Sequence, residues 1–248
     1  MPANTPVALI TGSAHRLGAR TAQLLHEQGW NLVLHYRSRD KQAKNLAEAM
    51  NQQRENSTIA LQADLSEMAD IKRLGQEATA HWGRLDALVN NASVFYPNPT
   101  AQVTEGDWNS IMHTNLKAPF FLLQACLPAL RESTGSVVNL IDIYSEKPLA
   151  EHPLYCASKA GLAALTRSWA KDLAPEVRVN GVSPGAVLWP EGDAAVNTDY
   201  QNKILAKTPL NRTGTPDDIA RTIVFLLTDA PFITGQIVAV DGGRSLNI

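Results

Sequence analysis

Tyr155 and Lys159 are the residues of this sequence whose types and spacing most clearly suggest chemistry. Four positions apart on a helix, they would share one face, where the ammonium can lower the pKa of the phenol and help it to pass a proton. Asp142 lies thirteen residues upstream of Tyr155, at the end of an apolar run. The three side chains could perform acid–base catalysis, although a Tyr-x-x-x-Lys spacing by itself is also common on solvated helix surfaces.

A loop bounded by Gly12 and Gly18 is a second candidate site, because it joins the apolar run 7–11 to a helical pattern. The first glycine would allow a tight turn, and the last would let helix and strand pack closely. The helix N-terminus would offer free N–H groups and a positive dipole to a pyrophosphate. The sequence therefore predicts a phosphate-binding loop, with a spacing that differs from G-x-G-x-x-G.

Apolar runs of strand length alternate with amphipathic stretches of helical length along the chain. The apolar runs cover 7–11, 31–35, 58–62, 86–90, 136–141, 177–183 and 236–241, and the predicted helices cover about 39–55, 66–82, 104–132, 152–174 and 216–228. This repeated βα pattern predicts an α/β fold, a doubly wound parallel sheet with helices on both faces. Ligands of such a sheet bind outside the carboxyl ends of the strands.

Composition favours one domain covering 1–248, because 44% of the 248 residues are hydrophobic and no linker or repeat interrupts the pattern. The net charge of −2 argues against a nucleic-acid partner, and no apolar stretch reaches the roughly 20 residues that span a bilayer. Without signal-peptide features, we expect a cytoplasmic location. Cys126 and Cys156 lack metal-ligand spacing, so no metal is expected.

Five separated motifs make the chain resemble the short-chain dehydrogenase/reductase family. The motifs are Thr11-Gly12-x-x-x-Arg16-x-Gly18, Asp64-Leu65, Asn90-Asn91-Ala92 with Asn115, Tyr155-x-x-x-Lys159 and Ser183-Pro184-Gly185. The resemblance implies a Rossmann-like sheet of seven strands, an NAD(P) cofactor and a homotetramer. It also implies that Asn115 holds a water that connects Lys159 to solvent, which gives the predicted catalytic set Asp142, Tyr155, Lys159 and Asn115.

Two departures from the common family pattern narrow the resemblance. Arg16 stands where most members carry glycine, and Asp142 stands where most carry serine. Both features are similar to the pteridine reductases, as are His35-Tyr36 and the segment 90–97. The resemblance implies a cofactor site formed by Gly12, Arg16, Leu17, Gly18, His35, Tyr36, Arg37, Ser38, Asp64, Leu65, Asn91, Ala92, Ser93, Tyr155, Lys159, Pro184 and Gly185.

The residues after the second predicted strand indicate which dinucleotide is bound. Arg37 and Ser38, together with Arg16, would supply cations and a hydroxyl near an adenosine 2′-phosphate, which favours NADP(H). An NAD enzyme would place an acid at the end of this strand. Asp40 lies further on and is typical of the first turn of the next helix. The alternative is that the arginines are solvated surface charges.

Asp142 and Phe95 suggest the class of substrate. A carboxylate would repel a developing oxyanion, but it suits the N–H donors of an aminopyrimidine-like ring, and a protonated carboxyl could relay a proton. Phe95 lies in a loop and could stack on a flat ligand, and the resemblance implies a pterin between Phe95 and the nicotinamide, contacted by Ser93. The alternatives are that Asp142 caps the turn 142–144 and that Phe95 packs under its loop.

Residues 186–208 resemble the substrate-closing loop and helix of the family. Leu188 and Trp189 could line the mouth of the pocket, and a contact between subunits is an equal alternative for Trp189. A cover that excludes water suits hydride transfer.

The sequence thus predicts an enzyme that uses NADPH to reduce a C=N bond of a pterin or dihydropterin, with dihydrofolate as a further substrate. The substrate-binding set would be Ser93, Phe95, Asp142, Tyr155, Leu188 and Trp189. Two alternatives remain: reduction of a carbonyl, such as a 3-oxoacyl thioester or a small ketone, and a binding protein that senses NADP without catalysis.

Overall fold

A computed structural model describes residues 5–187 and 197–247 of the protein. Seven strands form one parallel sheet in the order β3-β2-β1-β4-β5-β6-β7. The strands are β1 Val7–Ile10, β2 Asn31–Tyr36, β3 Thr58–Gln62, β4 Ala87–Asn90, β5 Ser136–Leu140, β6 Arg178–Pro184 and β7 Ile237–Val240. The predicted seven-stranded α/β sheet is confirmed, and its strand order reverses between β1 and β4, which opens a crevice between the loops that leave them.

Helices follow most strands. They are α1 Arg16–Glu27, α2 Asp40–Gln53, α3 Met68–Ala80, α4 Glu105–Met112, α5 Ala118–Glu132, α6 Pro153–Asp172, α7 Thr198–Ala206 and α8 Pro216–Thr228. Local sequence explains several starts: Thr215 and Asp218 form a capping box at α8, and Pro153 occupies the first turn of α6. Within the described residues, none of the helices combines the length and the apolarity that a membrane crossing requires.

Two hydrophobic clusters lie on opposite faces of the sheet. Leu9 of β1 joins the cluster beneath α3, α5 and α6, whereas its neighbour Ile10 joins the cluster beneath α1 and α8. Both side chains are fully buried. Successive residues of a strand point to opposite faces, so a strand covered on both sides needs apolar residues throughout, as the sequence pattern indicated.

The predicted helix 104–132 is wrong in one respect, because a single π-helical turn at His113–Lys117 separates α4 from α5. Such turns insert one residue into the helical ladder and occur often at functional sites. This one contains Asn115, which is almost completely buried. The apolar periodicity on either side shows no break, so the sequence pattern alone did not predict the turn.

Candidate active site

A cleft of about 1200 Å³ opens at the carboxyl ends of the strands. It contains the described residues of the predicted cofactor and substrate sets, namely Gly12, Arg16, Leu17, Gly18, His35, Tyr36, Arg37, Ser38, Asp64, Leu65, Asn91, Ala92, Ser93, Phe95, Asp142, Tyr155, Lys159, Pro184 and Gly185. Asn115 lies behind the wall rather than in the lining, beside Thr114, which does line the cleft. Leu188 and Trp189 lie outside the described residues.

Asp142 and Tyr155 meet at the floor of the cleft. The hydroxyl of Tyr155, on α6, donates a hydrogen bond of 2.8 Å to Oδ2 of Asp142, which follows β5. The other carboxyl oxygen, Oδ1, accepts the backbone N–H of Tyr144 at 2.9 Å and caps a short 3-10 turn. Asp142 is therefore both a cap of the turn and a partner of the phenol, so the two sequence interpretations are compatible.

Lys159 lies one helical turn beyond Tyr155 and is fully buried apart from 2% of its surface. Its Nζ donates to the carbonyl of Leu140 at 2.7 Å and lies 5.7 Å from the centroid of the Tyr155 ring. Burial lowers the pKa of Lys159 to about 8, against the opposing pull of Asp142. The ammonium is thus held at the sheet edge and is close to its titration range at neutral pH.

Burial also shifts the pKa values of Tyr155 and Asp142, and the expected lowering of the phenol's pKa by Lys159 is wrong. The pKa of Tyr155 is raised well above its usual value by desolvation and by the charge of Asp142, so Lys159 does not leave the phenol with a lowered pKa. Desolvation likewise raises the pKa of Asp142, against the hydrogen bonds from Tyr144 and Tyr155. Tyr155 therefore stays protonated. It would release its proton only when a bound group nearby develops a charge that favours the transfer.

The glycine loop has the two requirements that the sequence predicted. Gly12 has a φ of +62°, and a side chain on it would meet the backbone of Ala92 at 3.1 Å. Gly18 lies so close to Asn91 and Gly12 that a Cβ would stand 2.6 Å from Asn91 Nδ2 and from the Gly12 carbonyl oxygen. The loop is therefore packed against the chain that follows β4.

Asn91 and His35 serve the loop through their side chains, a role that the sequence analysis did not foresee. Asn91 Nδ2 donates to the carbonyls of Thr11 and Gly12 at 2.8 and 3.0 Å. The Gly12 N–H donates to His35 Nδ1 at 3.0 Å, so the ring proton lies on Nε2, which donates to the Ala63 carbonyl at 3.0 Å. Burial lowers the pKa of His35 to about 4, which keeps the ring neutral.

The side chain of Asn115 joins the π-helical turn to the loop after β4. Its Oδ1 accepts the N–H of Val94 at 2.7 Å, and its Nδ2 donates to the Val94 carbonyl and to the Ser158 hydroxyl at 2.9 and 3.2 Å. Ser93 also donates to Oδ1, at 3.3 Å. These bonds use both donors and both acceptor positions of the amide, so a water relay at this residue requires a backbone group.

One end of the cleft is basic. Arg16, Arg37 and Arg39 line it, the last of which the sequence analysis did not single out. Arg16 has a φ of +52°, a conformation that favours glycine. Asp40 lies in the first turn of α2 as expected, where its carboxylate accepts a hydrogen bond from Tyr36 at 2.6 Å and pairs with Lys44 at 2.9 Å.

Phe95 lies at the other end of the cleft and is 46% exposed, so it does not pack beneath its loop. Its ring stacks on His152, with centroids 4.6 Å apart, and meets Tyr155 edge-on at 4.7 Å. His152 is a cleft residue that the sequence analysis missed, because nothing in its local pattern distinguishes it from a helix-capping residue. An exposed aromatic ring beside the phenol offers a surface for a flat ligand.

Comparison with known proteins gives one matching family, and the similar proteins carry different names. The family described as enoyl-(acyl carrier protein) reductase matches residues 12–245. A protein named pteridine reductase 1 from Leishmania tarentolae is 35% identical, over 97% of this chain and 96% of its own. A protein named 3-oxoacyl-(acyl-carrier-protein) reductase FabG from Staphylococcus aureus is 34% identical, over 96% of this chain and 98% of its own. The FabG of Staphylococcus epidermidis is 33% identical, over 95% and 97%.

Proposed function

The chain belongs to the short-chain dehydrogenase/reductase family, whose reductases use NAD(P)H, and on this premise we propose that it is an NADPH-dependent pteridine reductase. It would reduce a C=N bond of a pterin or dihydropterin, with dihydrofolate as a further substrate. The observation that carries the proposal is the hydrogen bond between Tyr155 and the carboxyl of Asp142 at the cleft floor. A carboxyl at this position suits a ring with N–H donors better than a simple ketone.

The fit of a dinucleotide phosphate is supported by the shape and charge of the opposite half of the cleft. A Cβ on Gly18 would collide with Asn91 and Gly12, so the close packing that places the start of α1 at the cleft requires glycine there, and the N-terminus of that helix suits a phosphate. Arg37 and Arg39 add positive charge beside it, where a 2′-phosphate would be favoured over a free hydroxyl. The residues present therefore fit NADPH.

In the proposed mechanism, NADPH, when bound, would be the source of the hydride that the ring carbon accepts. Tyr155 donates its proton to the ring nitrogen, which balances the addition of the hydride to the C=N bond. Asp142 accepts hydrogen bonds from the substrate and holds the Tyr155 hydroxyl in place. Lys159, anchored on the Leu140 carbonyl, supports the phenolate with its positive charge, and its two remaining N–H groups can hold ribose hydroxyls.

The aromatic side of the cleft supports a flat substrate. Phe95 presents an exposed ring within 4.7 Å of the Tyr155 ring. A heterocycle stacked on this ring would gain about 1 kcal/mol beyond the free energy of burying its surface. Ser93 lies on the same loop and can contact it.

Reduction of a 3-oxoacyl thioester is the second candidate function, and it is favoured by the identity to the FabG relatives, which is similar to that of the pteridine reductase. Asp142 opposes it, because a carboxylate beside a developing oxyanion is unfavourable. A homotetramer remains a prediction from the resemblance, and a cytoplasmic location remains a prediction from the sequence.

The test compares NADPH oxidation with a dihydropterin, dihydrofolate and acetoacetyl thioester, for the wild-type protein and for Asp142→Ser. We expect dihydropterin turnover in the wild type and a loss of about hundredfold in Asp142→Ser, because the serine cannot accept two donors as a carboxylate does. The matched control is Asp172→Ser, an exposed acid at the end of α6.

Turnover of the thioester without turnover of either pterin would contradict the proposal in favour of carbonyl reduction. Tight NADPH binding with no turnover of any of the three substrates would indicate a binding protein instead.

A further inference from the structure

Tyr144 and Arg244 form a wall of the cleft to which the proposed reaction assigns no role. Nη2 of Arg244 donates to the Tyr144 hydroxyl at 3.0 Å, and the guanidinium carbon lies 5.7 Å from the centroid of the Tyr144 ring. Tyr144 follows β5 and Arg244 follows β7, so the contact joins the ends of two strands. Both residues lie in the half of the cleft that holds Asp142.

Arg244 is held firmly in this wall. Its residue is only 7% exposed, and it opens a 3-10 turn after β7. Asp241 fixes that turn by accepting the backbone N–H groups of Gly243 and Ser245 at 2.9 and 2.7 Å. The backbone that carries Arg244 is therefore fixed by Asp241, and the guanidinium itself is held by its burial and by its bond to Tyr144.

Arg244 is also incompletely satisfied. Its Nε is buried without a hydrogen-bond partner, and no salt bridge to it is found among residues 5–187 and 197–247. The carboxyl of Asp142 is close enough to feel the charge of Arg244 but forms no salt bridge with it, and a buried cation without a directly paired carboxylate is costly to folding. Such a cost suggests a use for the charge in the cleft.

The hydrogen bond between the two side chains determines what Tyr144 can offer. Because its oxygen accepts the bond from Arg244, the hydroxyl is free to donate its own proton, and the described residues provide no acceptor for it. A hydroxyl that accepts from a cation becomes a stronger donor. The wall thus presents a donor, while Asp142, two residues away in sequence, presents a carboxyl.

We infer that the Tyr144 hydroxyl, positioned by Arg244, donates a hydrogen bond to a carbonyl oxygen of the organic substrate and so selects an oxo group over an amino group. Tyr144 would donate to the C=O of a lactam while Asp142 accepts from its N–H. Arg244 acts through Tyr144 as a positioning residue. The inference rests on the proposed function only in taking this carbonyl to be the ring oxo group of a pterin.

The test measures binding of 2-amino-4-oxopteridine and 2,4-diaminopteridine to the protein saturated with NADP⁺, by calorimetry. The 4-position accepts in the first ligand and donates in the second, and N3 carries a proton only in the first, so the comparison between variants isolates the contact of Tyr144. In Tyr144→Phe the affinity for the oxo ligand should fall about tenfold relative to the diamino ligand, the value of one hydrogen bond. Tyr96→Phe removes another phenol hydroxyl from the cleft wall, one that donates to Asp107, and should change this ratio by less than about twofold.

Arg244→Met should also lower the affinity for the oxo ligand relative to the diamino ligand. The double variant Tyr144→Phe/Arg244→Met should lower it no further than Tyr144→Phe alone. NADP⁺ affinity close to that of the wild type would show that each variant is folded. An unchanged ratio in Tyr144→Phe would overturn the inference, and additive effects would overturn the action of Arg244 through Tyr144.

If neither pteridine binds the wild-type protein, the proposed function fails, but the role of the Tyr144 hydroxyl as a donor can still be tested. In that case Tyr144→Phe should lower kcat/KM for acetoacetyl thioester about tenfold, because that substrate also carries a carbonyl acceptor. An unchanged kcat/KM would overturn the inference as well.

Discussion

Burial works against every charged group at the floor of the cleft. It raises the pKa values of Asp142 and Tyr155 and lowers that of Lys159, and the three groups offset part of this cost through their contacts with one another. Groups whose charges are this unfavourable exchange protons readily when a ligand changes the local charge. The residue types were evident in the sequence, whereas the direction of the phenol's pKa depended on how deeply α6 buries it.

Removing the Tyr155 hydroxyl tests the proposal that Tyr155 donates the proton to the substrate. In Tyr155→Phe we expect kcat to fall by about hundredfold or more, the usual contribution of a positioned proton donor. The dissociation constant for NADPH should stay within about threefold of the wild-type value, because a single hydroxyl is lost from a large binding surface. Stopped-flow turnover and fluorescence titration measure the two quantities, and wild-type turnover in this variant would rule out Tyr155 as the acid.

His35 predicts how stability depends on pH. Its pKa is about 4 in the folded protein against 6.5 in the unfolded chain, so the unfolded state binds more protons between these values. The free energy of unfolding should therefore fall by about 3 kcal/mol as the pH drops from 6.5 to 4 on account of this residue. Urea unfolding of the wild type and of His35→Gln across this range measures the difference, and parallel pH profiles would contradict the prediction.

Each element places one part of the site. The side chain of Asn115, on the π-helical turn, bonds Val94 in the loop after β4 and Ser158 in α6, and so connects these three elements. A buried chain of amides and a hydroxyl runs beside it, from Asn90 to Asn139 and on to Thr166, each bond 2.8 Å long. These contacts fix α6, and with it Tyr155 and Lys159, against the sheet.

Gly18→Ala tests the glycine loop at the start of α1. The added methyl group would stand 2.6 Å from Asn91 Nδ2 and from the Gly12 carbonyl, so the loop must move. We expect NADPH affinity to fall by about tenfold or more, because phosphate binding depends on the positions of the loop N–H groups. Gly106→Ala in α4 is the matched control, since its nearest neighbour is 3.5 Å away and alanine favours a helix. Equal NADPH affinities in both variants would contradict the prediction.

The whole molecule brings charges from separate elements to one edge of the sheet. Arg16 begins α1, whereas Arg37 and Arg39 lie between β2 and α2, and all three line the same end of the cleft. The protein carries a formal net charge of −2, so this local positive field does not follow from composition. It arises because β1 and β2 are parallel neighbours whose carboxyl ends lie side by side.

Arg37→Ala should distinguish the two dinucleotides. We expect NADPH to bind about tenfold more weakly, because a charge-assisted bond to the 2′-phosphate is lost, while NADH affinity changes by less than about twofold. Arg131→Ala, an exposed arginine in the last turn of α5, is the control for a general change of charge. The selectivity is measured by titration with both cofactors at fixed salt, and an equal loss for NADPH and NADH would contradict a role at the 2′-phosphate.

The sequence by itself determined the βα repeat, the glycine loop and the Tyr155, Lys159 and Asp142 trio, because strand period, turn chemistry and residue type are local properties. Tertiary structure decided the rest. Only packing shows that His35 and Asn91 support the glycine loop, that a π-helical turn carries Asn115, and that Arg244 reaches Tyr144 from 100 residues away. Such contacts depend on which strand ends become neighbours in the sheet, and local sequence patterns carry no record of that proximity.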